Sequence, residues 1–137
     1  MLDTNVVLDH LLNRAPWAND ATALWQASSA GDFDAFVSAI TPVNVFYIAR
    51  KSVGAVLARR IIGSLLAAIG ICPVNQAVFQ AAHALAFKDY EDAVQHASAS
   101  AARMDTIVTR DPAGYVSATL PVLAPADFLR QLRAATP

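Results

Sequence analysis

Apolar and polar positions along the chain follow two rhythms, short apolar runs and longer stretches with an apolar residue every three or four positions. The short runs are Leu2, which closes a strand at the very start, DAFVSA (34–39), ICPV (71–74), the stretch from Thr106 to Thr109, and PVLA (121–124). They predict strands. The longer stretches predict helices. The first is VVLDHLL behind Asp3-Thr4-Asn5, and the second opens at Pro16 and runs through Trp17, Ala21, Leu24, Trp25 and Ser28 to a stop at Gly31. Thr41-Pro42 opens a third, VNVFYIARK, and VGAVLARRIIGSLLAAIG forms a fourth that Gly70 ends. Asn75 caps a fifth through Val78, Phe79, Ala82 and Leu85; DYEDAVQHASASAARM is a sixth, and Pro125 opens a closing helix through Phe128, Leu129 and Leu132. Proline at helix starts, glycine at their ends and Asn or Asp at the caps set these bounds. Strands of four to six residues alternating with helices imply an α/β domain with a short, largely parallel central sheet.

Composition narrows the picture. A chain of 137 residues that is 55% apolar suits one compact domain over residues 1–137, with no linker, repeat or low-complexity segment. A formal net charge of −1 does not indicate binding to nucleic acid through a globally basic surface, so a polyanion must be met locally. Cys72 is the one cysteine, which excludes an internal disulfide and a thiolate metal cage and fits a reducing compartment. The most apolar stretch, Ile61 to Val74, is only 14 residues long and holds Ser64, two glycines and Pro73. A membrane span needs roughly 20 apolar residues, so the stretch is expected to be a buried helix running into a buried strand. No basic segment precedes an apolar one at the N-terminus. A soluble, cytoplasmic protein is expected.

Of the eleven acids ten are Asp, a residue suited to caps, turns and compact ligation, and Glu91 is the one Glu. In an open parallel sheet a ligand binds beyond the carboxyl ends of the strands. Asp3 follows Leu2, Asp111 follows TIVTR, and Asp92 sits in the first turns of the helix before that strand. Carboxylates gathered there repel one another unless a cation sits among them, and hard oxygen ligands with room for water suit Mg²⁺ or Mn²⁺.

MLDTN, FKDYEDAVQHASA, IVTRDPAGY and PVLAPADFL, in that order over nearly the whole chain, resemble the PIN domain, and within it the VapC-type ribonuclease toxins of bacterial toxin–antitoxin pairs. The resemblance implies a three-layer PIN-like fold and a metal-dependent endoribonuclease with one or two Mg²⁺ or Mn²⁺ ions, of which three carboxylates would hold one well and a second only with substrate phosphate. Asp3, Asp92 and Asp111 would be its catalytic metal ligands, and Thr4 and Asn5 would shape the first loop. It also implies an RNA substrate and a VapB-like antitoxin, with no membrane partner; the high apolar content fits burial of surface in a homodimer or in such a complex, and equally a large core.

The chain departs from the family pattern at two places. Asn44 stands where a helical Glu is usual, and reads as a weakened ligand, a supporting donor or simply a polar residue near a helix start. Gly114 stands where many relatives carry a further acid, which leaves three carboxylates. Asp89 shares a helix face with Asp92 and equally suits the cap of that helix, whereas Glu91 should point elsewhere. His96, four residues past Asp92, either supports the site and titrates near neutral pH or is packed. Arg110, Lys88, Arg50 and Lys51 are the basic residues nearest the motifs and the candidates for RNA contacts; Arg59-Arg60 suits a solvated helix face. Phe46, Tyr47, Trp17 and Trp25 read as core or partner-facing residues before they read as platforms for RNA bases.

Two functions compete: the toxin-like endoribonuclease, and a PIN-like protein with weak or no hydrolysis that binds RNA or an antitoxin-like peptide. A phosphotransfer or dehalogenase-like enzyme with Asp3 as nucleophile is disfavoured by Asn5, where a second Asp would be expected. A buried parallel strand runs about five residues, yet only Met1 and Leu2 precede Asp3. A native start a few residues upstream, or a stunted strand, is expected.

Overall fold

Leu2 donates its N–H to Phe36 O at 2.8 Å and pairs in parallel with Val108, so two residues of chain join two ribbons that are otherwise separate. The computed structural model describes residues 1–136; Pro137 lies outside them. In chain order the elements are α1 (Thr4–Leu11), α2 (Ala18–Ser29), β1 (Phe36–Ser38), α3 (Thr41–Val53), α4 (Ala55–Ala68), β2 (Gly70–Cys72), α5 (Gln76–His83), α6 (Tyr90–Ala101), β3 (Ile107–Val108), β4 (Val122–Leu123) and α7 (Pro125–Ala135). A 3₁₀ turn covers Pro112–Tyr115. β1 pairs in parallel with β2, and β3 with β4. Met1–Asp3 runs between β1 and β3, with Val108 N–H on Met1 O at 2.8 Å and Asp3 N–H on Val108 O at 2.9 Å.

Side chains alternate across this sheet as strand geometry requires. Leu2, Val37 and Val108 face a core shared with α1, α2, α3, α4 and α7, through residues such as Val7, Leu24, Val45, Leu65 and Leu129. Met1, Phe36, Cys72 and Ile107 face the other way, toward Ala99 of α6 and Tyr115. α5 and α6 pack together through Val78, Ala82, Ala93, Val94 and Ala97. The result is the three-layer arrangement with a short parallel sheet that the sequence predicts.

The strands are shorter than expected, two or three residues in place of four to six, and the amino-terminal one is reduced to a single bridge. The apolar runs continue into turns that lead to the next helix, and hydrophobicity alone does not mark where pairing stops. A second correction concerns Ile61 to Val74. α4 buries only Ala58 and Leu65, Leu66 is 54% exposed, and β2 is an edge strand with Ile71 outward. α4 packs mainly on α3, so it has one covered face where a buried helix would have several. No helix among the described residues is long and apolar enough to cross a membrane.

Candidate functional site

Helix geometry and strand ends bring five acids to one cleft. Asp3, Thr4, Asn5, Asp89, Glu91, Asp92 and Asp111 line a cleft of about 290 Å³, with Leu8 and Ile48 as its apolar wall. Asp3 leaves the central strand segment with extended backbone and becomes the N-cap position of α1. Asp89 caps α6, its Oδ1 accepting the Asp92 N–H at 3.0 Å, and this fixes the first turn of α6 over the cleft. Glu91 also lines the cleft, against the expectation that it would point away; the opening turn of α6 borders the cavity, so successive residues of that turn reach it.

Asp3 is 4% exposed, and its carboxylate is held from two sides. Gln95 Nε2 donates to Oδ1 at 2.9 Å, and the Thr109 hydroxyl donates to Oδ2 at 2.7 Å. Thr109 Oγ1 in turn accepts the Asp111 N–H at 3.2 Å, so one hydroxyl links the first and last acids. Thr4 reaches α3 through a 2.9 Å contact between its hydroxyl and that of Thr41. Asn44 lies on α3 one helical turn from Thr41 and from Ile48, and of the three only Ile48 lines the cleft.

Asp92 carries the electrostatic signature of the site. Burial first, then the negative charges of Asp3 and Asp89, push its carboxyl up to about 7; a hydrogen bond from Tyr115 Oη at 3.3 Å acts in the opposite direction. The Tyr115 hydroxyl is itself pushed up, by burial and then by Asp3 and Asp92, so it stays a donor. Gly114 faces the same space: a Cβ there would lie 3.1 Å from Asp92 Oδ2 and 3.5 Å from Asp111 Oδ2.

Other residues raised by the sequence fall elsewhere. His96 is buried against Phe87, its Nε2 accepting the Thr119 N–H at 3.0 Å, and it does not line the cleft. Burial lowers its pKa and Nδ1 has no partner, so it is a packed, neutral ring that ties down the segment after the 3₁₀ turn. Arg110 turns away to Asp9, at 3.1 Å, and lies over the Trp17 ring. Lys88, Arg50 and Lys51 are exposed and outside the cleft lining. Gln95 and Thr109 escape a sequence reading because the partner of each is about a hundred residues away. The available signal is a polar side chain one turn after Asp92 in a helix of small residues.

The residues suit a divalent cation chemically: an all-oxygen donor set, a carboxyl that burial and then neighbouring negative charge push up, and a buried Asn5 Oδ1 with no hydrogen-bond partner at the cleft. Among the described residues no three His, Cys, Asp or Glu side chains stand close enough to hold one ion as they are placed.

A family model described as PIN domain matches residues 1–113. The chain belongs to the PIN domain family. This PIN protein is similar in fold to two solved structures. One is VapBC2 from Rickettsia felis bound to a DNA fragment from its promoter, at 16% identity and a TM-score of 0.65 over 90% of this chain and 95% of that one. The other is FitAB bound to the IR36 DNA fragment, at 24% identity and a TM-score of 0.67 over 90% and 93%. Among curated proteins none matches the chain.

Proposed function

We propose that this PIN-domain protein is a divalent-metal-dependent endoribonuclease and the toxin of a VapBC-like pair. The observation that carries the reading is the convergence of Asp3, Asp92 and Asp111, from three distant parts of the chain, on one cleft at the carboxyl end of the sheet. Mg²⁺ or Mn²⁺ held by these three would supply a hydroxide-like nucleophile near neutral pH and neutralise charge on the phosphate oxygens. Asp3, fixed by Gln95 and Thr109, orients the site, and Asp92 would have to give up its proton to hold a cation. Asn5 offers its free carbonyl oxygen as a further donor. Thr4 links α1 to α3 through the Thr41 hydroxyl, Asp89 fixes the first turn of α6, and Asn44 is the supporting polar residue of α3.

An antitoxin is the proposed partner. α3 and α4 enclose an open groove of about 540 Å³ lined by Val43, Phe46, Tyr47, Ile62 and Leu66, of which Val43, Tyr47 and Leu66 are more than half exposed. Both structural neighbours are two-protein assemblies by name, which supports a protein partner here. A second copy of the chain is the other candidate for that groove.

A catalytically weak PIN protein that binds RNA or an antitoxin-like peptide is the second reading. It is favoured by Asn44 and Gly114 and by the absence of a ready three-ligand cluster among the described residues. Mn²⁺ titration of wild type and Asp92→Asn, followed by cleavage of a structured RNA, separates the two. Metal binding and cleavage lost in the variant support the enzyme. Binding without cleavage in the wild type favours the second reading, and no metal binding in the wild type overturns the first.

A further inference from the structure

Gln95 has no solvent exposure and makes two hydrogen bonds with one carboxamide. Oε1 accepts the Thr4 N–H at 3.2 Å, and Nε2 donates to Asp3 Oδ1 at 2.9 Å. The two bonds fix the amide orientation, since a backbone N–H can be met only by the oxygen and a carboxylate only by the NH₂ group. The side chain therefore brackets the Asp3–Thr4 junction where the central strand segment turns into α1. Because Gln95 lies one helical turn after Asp92, it ties the helix that carries one acid to the residue that carries another.

We infer that Gln95 is a positioning residue of the acidic cleft, holding the Asp3 carboxylate so that its free lone pairs face Asp92 and Asp111. The inference rests on the reading of the cleft as a cation site. A carboxylate has about four acceptor positions; Gln95 and Thr109 each occupy one, on opposite oxygens. Both donors are neutral, so they fix the group without supplying the positive charge that would compete with a cation. An apolar residue at 95 would leave the Thr4 N–H and one Asp3 oxygen without these partners and free the carboxylate to turn.

Gln95→Met removes both bonds at similar volume. Val94→Ala serves as the control, a buried neighbour on the same helix that touches neither acid in the hydrogen-bond scheme. Mn²⁺ affinity, measured calorimetrically and by the electron paramagnetic resonance signal of free Mn²⁺, should weaken about 10- to 100-fold in Gln95→Met. It should change less than twofold in Val94→Ala, even where that variant is less stable. Should Gln95→Met not fold, NMR of the wild type decides: its carboxamide protons should be protected from solvent exchange and should shift when Mg²⁺ is added. Equal Mn²⁺ affinity in folded Gln95→Met, or carboxamide protons that Mg²⁺ leaves unmoved in a wild type that binds it, overturns the positioning role. A wild type that binds no divalent ion overturns the metal reading itself and, with it, this inference.

Discussion

The Arg110 guanidinium donates to Asp9 at 3.1 Å and, from the other side, covers the Trp17 ring with its central carbon 3.8 Å from the centroid. Asp9 is 1% exposed, and burial raises its pKa while Arg110 lowers it. Arg110→Ala leaves a buried carboxylate without its partner, which should cost about 2–3 kcal/mol, below the usual figure for a broken buried pair because Arg110 is itself partly solvated. Without the guanidinium Asp9 rises further, so the loss should be larger at pH 8 than at pH 5. Urea unfolding at both values checks this; a loss below about 1 kcal/mol, or none of that pH dependence, would count against the pair as a structural tie.

Asp92 predicts how metal-free stability depends on pH. Its carboxyl is raised to about 7 in the fold, from an ordinary 3.8. Below about pH 4 it is protonated in both folded and unfolded chains, and the favourable contribution of the bound proton is fully present. Between about pH 4 and 7 the unfolded chain ionises while the folded one keeps its proton, so that contribution is lost progressively across this window and is gone above 7. Asp92→Asn in the presence of chelator should therefore stabilise the protein by about 1–2 kcal/mol at pH 8, after allowance for solvent screening, and by almost nothing at pH 4. Mn²⁺ affinity of the wild type should fall by about tenfold per pH unit below 7, because binding displaces that proton.

Local pattern carried the fold and the acids but not their supports. The alternation of Met1 with Leu2 and of Ile107 with Val108 is readable as two sheet faces, and Asn75 and Asp89 cap their helices as their positions suggest. Asp3 and Asp111 could be placed because strand ends define one edge of a parallel sheet. Gln95, Thr109 and the Asp9–Arg110 pair depend on contacts across most of the chain, where spacing carries no information. α4 misleads for a different reason. Its apolar residues resemble those of a buried helix, yet Ile62 and Leu66 line the groove with α3, and Val56 and Leu57 are exposed.

Gly114 offers a way to restore the missing acid. The space beyond its Cα is bounded by Asp92 Oδ2 and Asp111 Oδ2. Gly114→Asp should add a carboxylate beside two others, costing about 0.5–1 kcal/mol of metal-free stability at pH 8 by like-charge repulsion at a solvated edge. The same variant should bind Mn²⁺ more tightly, or bind a second ion, because the added charge favours the cation it repels its neighbours without. Calorimetry with and without chelator reads both effects, and a variant weaker in both would show that the contact with Asp92 is too close to accommodate.

Gly70 and Gly63 predict opposite responses to the same added methyl. Gly70 opens the edge strand β2 opposite Phe36, and a Cβ there would overlap the Phe36 ring, which is packed against the core formed by Met1 and Cys72. Gly70→Ala should destabilise by about 1–3 kcal/mol, since the ring must shift or the strand must separate. Gly63 lies on an exposed face of α4 with nothing within 4 Å of such a Cβ. There alanine lowers the entropy lost on forming the helix, and Gly63→Ala should stabilise by about 0.5–1 kcal/mol. Chemical unfolding of both variants gives the signs directly. A stable Gly70→Ala would mean that β1 and β2 are not held in the register that places Gly70 beside Phe36, and would reopen the packing of the whole β2 edge.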